Sequence, residues 1–176
     1  MKKFYVIGLM IFLIVVVGLF GGILPDNRVE VVLDECVDGD TAWFLIEGKR
    51  EKVRFLAIDT PESVHPEKEV EDYGMEASDY TCQVLTEANH IYLEYDLESD
   101  QYDKYERVLA WVFVDEINLS ELLVENGYAR VHYIYGNYRY LDTLCEKQEN
   151  AYQEKIGIWK EEFKYSDEDN YCMTRG

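Results

Sequence analysis

The stretch Arg54-Phe55-Leu56-Ala57-Ile58-Asp59-Thr60-Pro61-Glu62 decides how this chain is read. Val53 to Ile58 has the apolar run of a short strand, interrupted only by Arg54. A strand apolar on both sides is normally buried, and a buried guanidinium is costly unless an anion meets it. Arg54 therefore calls for a carboxylate or a phosphate. Pro61 cannot continue a ladder, and it pushes Thr60 into an extended conformation. That stiff turn fixes the directions of Asp59 and Glu62 relative to Arg54. One cation and two carboxylates on such a turn have the makeup of a metal-assisted phosphoryl-transfer site. Taken alone, the stretch reads equally well as an acidic surface turn.

Upstream, Val29 to Val37 reads as a first strand and Thr41 to Ile46 as a second. Between them Asp38-Gly39-Asp40-Thr41 is a tight turn, with Gly39 free to take positive φ. Lys52 to Ile58 is the third strand, and the three make a meander. Ser63 to Asp72 is polar and reads as a mobile segment. Gly74 to Ala88 places Ala77, Thr81, Val84, Leu85 and Ala88 at helical spacing. Ile91 to Tyr95 is a fourth strand and Arg107 to Val114 a fifth. Leu119 to Asn126 is a short helix ended by Gly127 in the left-handed cap position, and a third helix runs from Tyr138 to Lys155. Gly157-Ile158-Trp159 closes the domain. The order predicts a mainly β, α+β fold: a five-stranded Greek-key barrel of the OB type with three helices. A parallel α/β sheet would need a helix between nearly every pair of strands, and that pattern is absent.

The 176 residues, 48% of them hydrophobic, suffice for one domain with a real core. The formal charge is -19, from 36 acidic and 17 basic residues. Such acidity favours a soluble monomer and argues against broad electrostatic attraction to nucleic acid or anionic lipid. Cys36, Cys82, Cys145 and Cys172 form no C-x-x-C pair, so a zinc site is not expected. In an exported chain two of them could join, with Cys145 and Cys172 the first pair to consider; free buried thiols are the other reading.

Lys2 and Lys3 precede an uncharged run from Phe4 to Leu24, long enough to span a bilayer. No A-x-A pattern or lipobox cysteine follows, so an uncleaved anchor is expected rather than a cleaved signal that would release a secreted form. The lysines place residues 1–3 in the cytoplasm and the domain outside it. Residues 25–30 then form a linker, 31–159 the domain and 160–176 a polar, loosely held tail.

Asp40 on the first hairpin and Asp59 after the third strand can meet at one end of the barrel, because strands one to three pair side by side. Two carboxylates, a backbone carbonyl and waters suit an oxygen-seeking cation such as Ca2+. Arg107, like Arg54, is an isolated guanidinium at the mouth of an apolar strand. Two arginines beside a metal can clamp the equatorial oxygens of a phosphoryl group. His65, His90 and His132 show no H-x-x-H or H-E-x-x-H spacing and read as structural or surface residues.

From about Val31 to Trp159 the chain resembles the staphylococcal nuclease (thermonuclease) family. The segments that carry the resemblance are Val37-Asp-Gly-Asp-Thr41, Val53 to Glu62, His65-Pro66, Tyr73-Gly74 with Glu76-Ala-Ser78, Asp103-Lys-Tyr-Glu-Arg107, Leu109-Ala110, Asn126-Gly-Tyr-Ala129 and Gly157-Ile-Trp159. The resemblance implies that Asp40, Asp59 and the carbonyl of Thr60 hold Ca2+, and that Glu62 positions or deprotonates the attacking water. It implies that Arg54 and Arg107 stabilise the five-coordinate phosphorus, and that Lys104, Tyr105 and Tyr133 bind the nucleotide end of a DNA or RNA substrate. The products would carry 3′-phosphates.

Two features depart from the family. Glu106 stands where the motif normally has Gly, so its carboxylate either pairs with Arg107 or points to solvent. The strong acidity is the other, since the founding members are basic. A rival reading is a catalytically weak nuclease-like barrel serving as a nucleic-acid or protein binding module. Loss of Arg54, Arg107, Glu62 or a metal aspartate would favour it, and all five side chains are present. A surface-anchored protein that merely binds Ca2+ has no need of the two isolated arginines.

Overall fold

The computed structural model describes residues 28–63, 70–160 and 171–172. The first three strands, β1 (Arg28–Cys36), β2 (Thr41–Ile46) and β3 (Lys49–Phe55), form an antiparallel meander. A two-residue strand, β4 (Ile58–Asp59), follows, then helix α1 (Gly74–Glu87), β5 (Ile91–Glu94) and β6 (Val108–Val114). β5 pairs antiparallel with both β1 and β6, and β6 pairs parallel with β3. The circuit β1-β2-β3-β6-β5 closes the expected five-stranded barrel. Closure leaves these strands without an open edge and surrounds a core that includes Phe44, Phe55, Leu93 and Trp111. β7 (Ile117–Asn118) turns back to pair antiparallel with the end of β6, and α2 (Leu119–Glu125), β8 (Arg130–Val131) and α3 (Leu141–Gln153) complete the fold before a 3-10 turn at Gly157–Trp159.

Local chemistry explains the helices. α1 buries Gly74, Ala77, Thr81 and Leu85 along one stripe, with Val84 and Ala88 packed partly against the core. Asn118 caps α2 by accepting from the Ser120 N–H at 3.0 Å. Gly127 follows it with φ +67°, the left-handed conformation expected there.

The third strand differs from the expectation in a way that shapes the site. It stops at Phe55 rather than Ile58, because Ala57 takes φ 62° and turns the chain out of the ladder. The Leu56 N–H then donates to the Ala110 carbonyl (3.1 Å), and the redirected Ile58–Asp59 pairs antiparallel with Arg130–Val131. Asp59 is thereby placed opposite Arg130. Gly39 also departs from expectation, since its φ is not positive. The glycine is needed for space: a Cβ there would lie 2.7 Å from Thr60 Oγ1.

Two disulfides are present, Cys145–Cys172 as considered and Cys36–Cys82, which pairing by sequence did not single out. The second joins the end of β1 to α1 across 46 residues, a crosslink worth about 2–4 kcal/mol. Tyr171 and Cys172 pack against the core, so this part of the tail is tied down rather than loosely held. No helix among the described residues is long and apolar enough to cross a membrane. The apolar run 4–24 and the segment 64–69, which contains His65 and Pro66, lie outside the described residues.

Candidate active site

The ends of β3 and β4, the turn after β1 and the loop before β6 open into one cavity of about 520 Å³. Its lining includes every candidate named from sequence: Asp40, Arg54, Asp59, Thr60, Glu62, Lys104, Tyr105, Arg107 and Tyr133.

Arg54 is buried, as the apolar strand required, and its charge is met by carboxylates. Its Nε lies 3.0 Å from Asp40 Oδ1, and one terminal nitrogen lies 3.7 Å from Asp59 Oδ1. The two terminal nitrogens donate to the Phe55 and Ile58 carbonyls at 2.7 and 2.8 Å. These carbonyls flank the Ala57 turn, so the same break that ends β3 supplies the acceptors that fix the guanidinium. Asp40 Oδ1 also accepts from Thr41 Oγ1, while Oδ2 accepts from the Thr60 N–H and Oγ1 at 3.0 and 3.1 Å. The first hairpin and the Asp59-Thr60 turn are thus locked together, with the Thr81 hydroxyl donating to the Gly39 carbonyl from behind (2.7 Å).

Arg107, one residue before β6, lines the same cavity and is about a quarter exposed. Its Nε donates to Asp103 Oδ2 at 2.6 Å, and Asp103 Oδ1 accepts the backbone N–H groups of Tyr105 and Arg107. Burial works against ionisation of Asp103, but these bonds hold its carboxyl below the usual range. The Arg107 terminal nitrogens make no protein hydrogen bond among the described residues. Glu106 has φ 62°, which explains why glycine suits this position and costs roughly 1 kcal/mol for a larger residue. Its side chain is exposed and forms no ion pair with Arg107. Of the two readings left open by sequence, the solvent-facing one is observed. Lys104 lies 4.9 Å from the centre of the exposed Tyr105 ring, and Arg54 lies 5.4 Å from that of Tyr133.

Two lining or supporting residues were missed in the sequence. Arg130 donates from Nε and a terminal nitrogen to Asp59 Oδ2 (3.1 and 2.8 Å). It is a lone guanidinium between Ala129 and Val131, the same signal that marked Arg54. Asp38 accepts from the Asp40 N–H at 3.0 Å and lines the cavity. Burial, and then the adjoining Asp40 carboxylate, push its carboxyl up to about 6. A carboxyl raised on folding lowers stability as pH climbs from its unfolded value to its folded one. Asp38→Asn should therefore raise the unfolding free energy at about pH 8 by on the order of 2 kcal/mol, with little change near pH 4. Urea titrations at the two pH values check this; an equal gain at both would show that charge is not the cause.

Chemically, the cavity lining combines the oxygen-bearing Asp40, Asp59, Thr60 and Glu62 with the guanidinium groups of Arg54 and Arg107. Among the described residues no three His, Cys, Asp or Glu side chains converge into a ready cation cage. An ion held here would draw the rest of its coordination from the carbonyl and water, which a large, flexibly coordinated cation tolerates.

The staphylococcal nuclease homologue family model matches residues 52–161. Endonuclease YncB of Bacillus subtilis (strain 168) is 39% identical over 132 residues, covering 74% of this chain and 62% of that protein. The SPbeta prophage-derived endonuclease YokF of the same strain is 41% identical over 132 residues, 74% of this chain and 44% of that protein. The chain thus spans between 44% and 62% of the length of these two relatives. The thermonuclease of Staphylococcus hyicus is 37% identical over 123 residues, 70% of this chain and 71% of that protein. With this coverage, and with Asp40, Arg54, Asp59, Glu62 and Arg107 of the family motifs lining one cavity of a closed barrel, the chain belongs to the staphylococcal nuclease homologue family.

Proposed function

We propose that this protein is a Ca2+-dependent phosphodiesterase that hydrolyses DNA and RNA and leaves 3′-phosphate products. The observation that carries the reading is the convergence of Asp40, Asp59, Thr60, Glu62, Arg54 and Arg107 on one cavity. The relatives named endonuclease and thermonuclease support the reaction class.

The hard oxygen donors fit Ca2+, with Asp40, Asp59 and the Thr60 carbonyl as its protein ligands. Bound there, the ion supplies Lewis-acid polarisation of a phosphoryl oxygen. The chain's own groups do the remainder. Glu62 orients or deprotonates the water that attacks phosphorus. Arg54, immobilised by Asp40 and two carbonyls, presents a fixed positive charge where negative charge grows on the equatorial oxygens. Arg107, with its terminal nitrogens uncommitted, donates to the same oxygens and favours departure of the 5′-oxygen. Lys104, Tyr105 and Tyr133 hold the nucleotide end. End-group analysis of products from single-stranded DNA and from RNA tests the direction of cleavage. Terminal 3′-phosphates are expected on both; 5′-phosphates would overturn the assignment of the leaving oxygen.

Residues 4–24 anchor the chain in the cell membrane with the domain outside the cytoplasm, a reading supported by the length of the apolar run and the lysines before it. Fractionation should recover the protein with membranes and accessible to external protease. Recovery of a shortened, freely secreted form alone would replace the anchor with a cleaved signal.

A further inference from the structure

We infer that the outward face of β2 and β3 is a track for single-stranded nucleic acid, carrying the substrate away from the scissile phosphate along Lys52 and Trp43. The inference rests on the nuclease reading above and extends it beyond the cavity.

The strand register makes the track. β2 and β3 pair as Thr41↔Arg54, Trp43↔Lys52 and Leu45↔Arg50. Ala42 and Phe44 are fully buried in the barrel, so by alternation Thr41, Trp43 and Leu45 lie on the other face. Arg50, Lys52 and Arg54 share that face on β3. Lys52 therefore stands one pleat from Arg54, about 6.6–6.8 Å along the strand, on the scale of one nucleotide step.

The chemistry of this face suits a base and its phosphate. Trp43 is partly exposed, whereas Trp111 and Trp159, the chain's other two tryptophans, are buried. Arg50 lies 4.0 Å from the centre of the Trp43 ring and is itself held by Asp34 and Glu35. Its charge is thus answered within the protein, and it serves as a brace for the indole. Lys52 lies 5.6 Å from the same ring and makes no ion pair among the described residues. An unneutralised cation beside a braced, accessible indole, in line with Arg54, is the pairing that binds an unpaired strand: stacking for a base and charge for its phosphate. On a chain of charge -19, such a local site is what lets a polyanion approach.

The test compares a dinucleotide with an oligothymidylate of about ten nucleotides, in saturating CaCl2. Trp43→Ala and Lys52→Glu should each raise KM for the longer substrate roughly fivefold or more, leaving kcat/KM on the dinucleotide unchanged. Trp43→Phe should keep most of the affinity. In the Glu62→Ala protein, which retains the strand face, the same oligonucleotide should quench tryptophan fluorescence, and the quench should vanish when Trp43→Ala is added. Equal effects on both substrates, no effect on either, or absence of quenching would each overturn the track. If the parent cleaves neither substrate, the nuclease reading falls, while fluorescence on the parent protein still decides whether the face binds single strands.

Discussion

Arg54→Lys, Glu62→Ala and Arg107→Lys are each expected to lower kcat by about 10²–10³ on single-stranded DNA, with the fold retained. The loss follows from geometry rather than charge. Arg54 keeps Asp40, Phe55 and Ile58 bonded at once through a planar fork, and an ammonium group cannot satisfy three such directions and still face a phosphoryl oxygen. Arg107 bonds Asp103 through Nε, and among the described residues its terminal nitrogens make no protein hydrogen bond; under the proposed function they meet the substrate, and a lysine would have to choose between the two. Single-turnover rates with circular dichroism on the same samples check the expectation. Folded variants that keep near-parental rates would remove these residues from catalysis.

The largest stability effect is expected at Glu94. This carboxylate is buried on β5 and receives Arg28 Nε (2.9 Å), an Arg139 terminal nitrogen (2.6 Å) and the Tyr140 hydroxyl (2.9 Å). Glu94→Ala removes the shared anion of two arginines and should cost roughly 3–5 kcal/mol, a large part of the stability of a domain this size. By contrast, Glu125→Ala breaks only its exposed pair with Lys147 and should cost at most about 1 kcal/mol. Urea unfolding of both variants is the measurement, and similar losses would contradict the burial argument. The network also matters to the site. Arg139 and Tyr140 lead into α3, whose Gln148 accepts the Val131 N–H at 2.6 Å and so holds β8, where Arg130 meets Asp59.

The barrel and the candidate residues that line its cavity were legible because they are written in local patterns: alternating short strands, an arginine stranded among apolar residues, and a proline that stiffens the turn after Asp59. The break in β3 was not, because nothing in Leu56-Ala57 announces a left-handed alanine; the turn is imposed by Arg54 and by the pairing with β8. Arg130 carried the right signal but stands far from the motif, and only the β4–β8 pairing brings it to Asp59. Asp38 reads as half of a turn, since its position beside Asp40 depends on how closely Gly39 packs on Thr60. The Cys36–Cys82 bond depends on α1 lying across the end of β1, which no spacing reveals.

Titrating the 176-residue protein with CaCl2 while following hydrolysis of single-stranded DNA tests the central claim most directly. Activity is expected to rise from none in excess chelator to saturation with Ca2+. Mg2+ should substitute poorly, because it sheds its waters reluctantly and leaves fewer positions open to a phosphoryl oxygen than the larger, flexibly coordinated Ca2+. Calorimetry should find one Ca2+ site, lost on Asp40→Ala. Full hydrolysis in excess chelator, or no hydrolysis at any Ca2+ concentration, would contradict the account.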